Sequence, residues 1–377
     1  VAPPPVYLDS ASSEPLHPAA RDVLMAAYER GYADPRRLHG PGRDARLLLD
    51  NAREAVAESL GVRRDEVTFT ASGTGAVHRG LLGLARARER RAGRQIVHTA
   101  VEHQSVFHAA HWWGDPSVVA VDHVGRVDPA RVGRRAAEAA VVGVQTANHE
   151  VGTLQPIAEV RAAVDPSVPF FVDACASMGR LPLPRGWDAA AGSAHKWGGP
   201  PGVGILLVRR GVAWESPFPG DDRIDERGSG FENVPAALAA AAALQAVVAE
   251  REETNAQQSA LIDLVRSRVG QIDGVEVLGD PVDRLPHLVT FAFERLDGEA
   301  VVTALDKEGF GVASGSACAA STLEPSSVLS ALGALDALTH GNLRLSLTRE
   351  TTRADVERLL DALPRVVADL RAGPAAQ

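Results

Sequence analysis

The chain has 377 residues, 45% of them hydrophobic and 23% charged, enough to bury a large core and, at ~150 residues per domain, to form two domains. Its formal net charge of −9 argues against a broad basic surface for nucleic acid, so small molecules or proteins are the expected partners. Two cysteines, Cys175 and Cys318, cannot by themselves build a disulfide framework or a zinc cluster, and the first residues carry no charged-then-apolar signal pattern; a reducing cytoplasm is the expected setting.

In chain order, short β-rich runs are expected at 66–70, 95–98, 118–121, 140–146, 169–173 and 204–208, separated by amphipathic helix-forming segments. That alternation predicts an α/β fold with a largely parallel sheet covered on both faces. Residues 235–269 are rich in alanine and read as one or two helices. The apolar run 235–248 meets Glu250-Arg251-Glu252-Glu253 at once and is too short and too weakly apolar to span a bilayer, so no membrane partner is expected. The pattern then changes: 275–278, 288–294 and 342–347 read as strands of a smaller α+β unit, closed by a helix over 353–370. A soft boundary falls near 251–257. The expected division is a large domain, 15–256, and a small one built from 1–14 and 257–377.

Three segments carry chemistry. Lys196, in Ser193-Ala-His-Lys196, is one of two lysines in a chain where Lys and Arg together number 39. An amine kept where arginine does the cationic work points to carbonyl chemistry, because a guanidinium stays protonated and a desolvated amine can attack a carbonyl; Lys307, between Asp306 and Glu308, reads as an ordinary surface lysine. A run of small residues, Ala71-Ser72-Gly73-Thr74-Gly75, joins a strand to a helix and leaves free N–H groups suited to a phosphate, although such turns often only cap helices. Asp173 ends an apolar strand at the carboxyl edge, where parallel sheets bind ligands, and reads equally as a cap. Cys318 sits in a run of small residues, 313–322, without apolar periodicity, as expected for an accessible thiol rather than a core hydrophobe.

These segments resemble the cysteine desulfurases, pyridoxal-phosphate enzymes of the class V aminotransferase type, from Tyr7-Leu-Asp-Ser-Ala11 to the Arg344 region. The resemblance implies fold type I, a large domain with a mostly parallel seven-stranded sheet plus the smaller α+β domain. It also implies pyridoxal 5'-phosphate held covalently by Lys196, with Asp173 at the ring nitrogen and His103, in Val101-Glu-His-Gln104, on the ring face as an acid/base group. Ser72, Gly73, Thr74, Ser193 and His195 would cradle the phosphate, and Asn148 would lie beside ring and substrate. Arg344 would grip the substrate carboxylate through its planar fork.

Cys318, with Gly315-Ser-Ala-Cys318 and Leu323-Glu-Pro325 spaced as in the long-loop subgroup, would take sulfur from L-cysteine as a persulfide, release L-alanine and pass the sulfur to an acceptor protein. A homodimer without direct nucleic-acid contact is implied. Iron–sulfur cluster assembly and tRNA thiolation are both open as destinations. The chain departs from the family at Ala176, where many members carry a glutamine that touches the cofactor's phenolic oxygen, and at Phe231, where a threonine usually reaches the neighbouring subunit's phosphate. A selenocysteine lyase or aminotransferase of the same fold, and a non-catalytic scaffold of a sulfur-transfer complex, are the competing readings.

Overall fold

The chain opens with β1 (Val6–Tyr7), α1 (Pro18–Arg30) and α2 (Gly40–Leu60). Strands and helices then alternate: β2 (Val67–Thr70), α3 (Gly73–Ala92), β3 (Gln95–Thr99), α4 (Gln104–Trp113), β4 (Asp115–Val119), α5 (Pro129–Arg135), β5 (Val141–Gln145), α6 (Ile157–Ala163) and β6 (Phe170–Asp173). β7 (Ala189–Ser193), β8 (Gly204–Val208) and the long α7 (Val234–Val269) follow. The remainder is β9 (Val275–Leu278), β10 (Leu288–Phe293), α8 (Gly298–Lys307), β11 (Phe310–Gly311), α9 (Ser327–Ala331), β12 (Asn342–Ser346) and α10 (Arg353–Ala372). This computed structural model describes residues 4–220, 225–314, 326–334 and 341–373. The expected cysteine loop, with Cys318, lies outside the described residues.

The α/β class and the seven-stranded sheet are as expected. The sheet order is β2-β8-β7-β6-β5-β3-β4, with β8 antiparallel to both β2 and β7 and the other pairs parallel. Strands buried on both faces read as continuous apolar runs, and Phe170, Phe171 and Val172 of β6 are all fully buried. Register matters for the site: Gln145 pairs with Asp173 and Asp173 with Ala191, which brings three strand ends level at the carboxyl edge.

Two elements differ from expectation. β7, Ala189-Ala-Ala-Gly-Ser193, has no β-branched or aromatic residue, so its sequence does not announce a strand. Close packing explains its composition, since a Cβ on Gly192 would lie 2.2 Å from Met178 Sδ and 3.2 Å from the Trp197 ring. β4 begins earlier than the run at 118–121 because Pro116 is tolerated on this edge strand, which pairs with β3 alone.

The alanine-rich segment forms one helix. The first half of α7 buries Ala236, Ala237, Ala240, Ala243 and Leu244 in the core beneath the large sheet, and its second half buries Leu261, Ile262, Val265 and Val269 in a different cluster with β10, β12 and α10. That second cluster includes Val6 and Leu8 from the start of the chain. A three-stranded antiparallel sheet, β12-β10-β9, supports it.

Candidate active site

The site forms where β5, β6 and β7 end. Ser72 caps α3, its hydroxyl accepting the Gly75 N–H at 2.9 Å. Gly73 is required by close approach: a Cβ there would lie 2.6 Å from Ser193 Cβ, 2.7 Å from Ser193 Oγ and 3.2 Å from Cys175 Sγ. The end of β7 therefore closes onto the first turn of α3, whose opening N–H groups lack intrahelical acceptors. Ser193 Oγ and His195 Nδ1, 3.2 Å apart, face this turn from the other side of the pocket.

Lys196 follows β7 on a single 3₁₀ turn. The turn is pinned by Trp197, which is fully buried and donates its indole N–H to the Ala240 carbonyl of α7 at 3.1 Å. Gly198 allows the chain to leave in a left-handed conformation (φ 81°). Lys196 lines the pocket, and among the described residues its amine has neither a hydrogen-bond acceptor nor a carboxylate within salt-bridge range.

Asp173 is buried, and its Oδ1 accepts the Cys175 N–H at 2.9 Å. The cap reading and the ligand reading are compatible here, because the carboxylate also lines the pocket. His103 caps α4, with Nδ1 accepting the Ser105 N–H at 3.1 Å. Burial, reinforced by Lys196 and opposed by Asp173, holds its ring below the ordinary imidazole range.

Glu102, the neighbour of His103, is 2% exposed. Its Oε1 accepts the Thr99 hydroxyl at 2.6 Å and the Gln145 N–H at 3.1 Å, and burial pushes its carboxyl up to about 8. At neutral pH Glu102 is therefore mainly a neutral acid near the Asp173 carboxylate.

Of the residues expected from the sequence, Gly73, Thr74, His103, Asp173, Ser193, His195 and Lys196 line one pocket, with Ser72 capping the helix at its rim. Asn148 is not on its wall. That side chain is fully buried and engaged locally, donating to the Val101 carbonyl at 2.9 Å and accepting the N–H groups of Glu150 and Val151. The chain neighbours Ala147 and His149 face the pocket instead.

Arg344 is likewise set back from the wall. Its NH2 group donates to Asp9 Oδ1 at 2.8 Å and Ser12 Oγ at 2.6 Å, and its NH1 group to the His149 carbonyl at 3.1 Å. Removing one partner of a largely buried pair leaves the other uncompensated. Arg344→Ala is thus expected to cost about 3 kcal/mol of stability in addition to any effect on turnover. A urea unfolding curve unchanged from wild type would show that the Asp9 pair contributes nothing.

The residues present fit pyridoxal phosphate. A glycine-lined cradle at a helix N-terminus suits a phosphate, Ala147 and Ala176 leave room for a ring, and Asp173 and the unpaired amine of Lys196 stand on the same pocket. His149 and Gln145 add polar groups to the pocket wall that the sequence does not single out.

The aminotransferase class-V family pattern matches residues 6–359. The chain is 38% identical to an IscS-like cysteine desulfurase of Mycobacterium tuberculosis, covering 97% of each chain, and 32% identical to the cysteine desulfurase IscS of Dictyoglomus turgidum, covering 97% of this chain and 95% of that one. Among solved structures, a NifS-like protein superposes with a TM-score of 0.89 at 27% identity, covering 97% of this chain and 99% of that chain.

Proposed function

We propose, for a chain that belongs to the aminotransferase class-V family alongside the cysteine desulfurases, that it removes sulfur from L-cysteine, releasing L-alanine and keeping the sulfur as a persulfide on Cys318. The observation that carries this reading is the convergence of an unpaired Lys196 amine, Asp173, His103 and the open turn of α3 on one pocket, in a chain whose sequence also holds Gly315-Ser-Ala-Cys318.

Gly73, Thr74, Ser193 and His195 would hold the phosphate of pyridoxal phosphate, with Ser72 fixing the helix start. Asp173 would pair with the ring nitrogen and Lys196 would hold the cofactor covalently, both from the wall of the same pocket. When bound, the cofactor supplies an electron sink for the substrate's α-carbon. Lys196, once the amino group of the substrate has displaced it, would take the α-proton, a role that needs an amine free to lose and regain a proton. His103, on the same wall, would stand against the ring as an acid/base group. Arg344 holds the substrate carboxylate, sharing its fork with Asp9. The Cys318 thiolate attacks the substrate sulfur, an S–S bond forms as the C–S bond breaks, and the carbon left behind is protonated to alanine.

Residues 15–256 form the cofactor-binding domain, and 1–14 with 257–377 the small domain; the separate hydrophobic clusters support this division. A second copy of the chain covers the exposed Met25, Tyr28, Tyr32, Leu38 and Leu47 of the α1–α2 region. The protein works in a reducing cytoplasm and hands its sulfur to an acceptor protein.

Purified protein loaded with pyridoxal phosphate is expected to release alanine from L-cysteine without a keto acid. Release of alanine from L-selenocysteine alone, or amino transfer that requires a keto acid, would replace this reading with a selenocysteine lyase or an aminotransferase. No turnover of any of these by loaded protein would favour a scaffold.

A further inference from the structure

Glu14 is a buried carboxylate that does not line the pocket. Its side chain is 5% exposed and both oxygens are engaged: Oε2 accepts the Arg180 guanidinium at 2.6 Å and Oε1 the Arg349 N–H at 3.1 Å. Arg180 is 8% exposed, and its carbonyl accepts the Asn255 side-chain N–H of α7 at 2.7 Å. A buried charge is costly unless it is paired and hydrogen-bonded, and an apolar pair of similar volume is often as stable. Stability alone therefore does not account for an ion pair here.

What distinguishes this pair is where its members are attached. Glu14 donates its own N–H to the His195 carbonyl at 2.8 Å, and His17 donates to the Gly198 carbonyl at 2.8 Å, so residues 14–17 clasp the Lys196 turn at both ends. Arg180 belongs to the turn that follows Asp173, in which the Ser177 and Met178 N–H groups return to the Ala174 carbonyl. Arg349 lies shortly beyond β12, the strand that carries Arg344. Glu14 thus joins three segments, each leading from a different residue of the site. Strand register sets Asp173 opposite Ala191, but beyond it both chains leave the sheet in turns, and the Glu14–Arg180 pair is a charged bridge between those turns. The aldehyde carbon and the ring nitrogen of pyridoxal phosphate stand at opposite ends of one rigid ring, so the Lys196 amine and the Asp173 carboxylate must keep a fixed separation to serve both. A misplacement of about 1 Å in such a constellation can cost on the order of a hundredfold in rate.

We propose that Glu14 is a positioning residue which, with Arg180, fixes the Lys196 turn against the Asp173 turn and so sets the spacing that the cofactor ring requires. The inference rests on the reading that this pocket holds pyridoxal phosphate. Glu14→Gln and the paired change Glu14→Leu with Arg180→Met, which substitutes apolar groups of similar length, are compared with wild type as full-length protein, with folding checked by far-ultraviolet circular dichroism. Hydrogen exchange read by mass spectrometry follows the amides of 174–180 and 194–199, with β3 as the internal reference. Visible circular dichroism, which senses the orientation of a bound ring, and the rate of cofactor release are measured on loaded protein.

In the paired variant both segments are expected to exchange roughly tenfold faster while β3 stays within about twofold, the visible signal to fall by about half, and the cofactor to leave roughly tenfold faster. Glu14→Gln, which keeps an acceptor for the Arg349 N–H, should move the same readings less. Should that variant fail to fold because Arg180 is left uncompensated, the paired variant decides. Unchanged exchange in the two segments, or uniform loosening that reaches β3 with the visible signal intact, would overturn the proposal, the second result marking a role in stability alone. Wild-type protein that takes up no pyridoxal phosphate would instead sink the functional reading, and this proposal with it.

Discussion

Lys196→Arg is expected to abolish turnover, lowering alanine release by a thousandfold or more on an order-of-magnitude estimate, while leaving the fold intact. The substituted side chain keeps its positive charge, so any effect separates amine chemistry from electrostatics. The turn does not depend on the amine for its shape, because the Trp197 indole N–H, the backbone bonds from Trp197 and Gly199 to Ala194, and the left-handed Gly198 define it. The variant should also lose the visible absorbance of covalently held pyridoxal phosphate and release the cofactor on gel filtration. Near-normal alanine production together with wild-type absorbance would remove Lys196 from its assigned role. A variant that unfolds would show itself by circular dichroism, and Lys196→Ala, which leaves a cavity and adds no bulk, then provides the same comparison.

The legibility of this fold in its sequence follows burial. Strands with Val, Ile and Phe in series, such as β3, β5, β6 and β8, are visible because two-sided burial demands continuous apolar runs. β7 carries the lysine turn and is the least visible of the seven, because the packing of Met178 and Trp197 against it selects alanine and glycine over β-formers. The resemblance to a family implied a seventh strand that periodicity alone did not place.

Site residues divide in a similar way. Lys196 and Gly73 stand out through composition and local pattern, whereas His149 and Glu102 are chain neighbours of residues already singled out and acquire meaning only from burial. Nothing in Ala147-Asn-His-Glu150 tells which of Asn148 and His149 faces the pocket. The tight turn decides, by engaging both ends of the Asn148 amide with backbone groups. Arg344 was legible as a cationic residue of the site, but its pairing with Asp9, 335 positions away in sequence, was not.

The two thiols provide the other large expected effect. Cys175 lines the pocket on the same side as Asp173, so position alone makes it a candidate second nucleophile. Its environment opposes that role. Burial first, and then the Asp173 carboxylate, push its thiol well above the usual range, and the thiolate is the reactive form. Its backbone N–H donates to Asp173 and its sulfur lies where a Cβ on Gly73 would be only 3.2 Å away, which describes a small packing residue in the cradle. Cys318 lies outside the described residues, and its assignment rests on its small-residue sequence and the Leu323-Glu-Pro325 spacing. Cys318→Ser is therefore expected to bind L-cysteine, with the spectral change of substrate binding intact, but to lower sustained alanine release on the order of a thousandfold or more and to accumulate no persulfide. Cys175→Ser should keep most activity, because a hydroxyl of similar size fills the same space. Mass spectrometry after incubation with L-cysteine should place one extra sulfur on the peptide containing Cys318. An extra sulfur found only on the Cys175 peptide, or full turnover in Cys318→Ser, would transfer the nucleophile's role to the pocket thiol and require the Asp173 corner to activate the group that it now holds protonated.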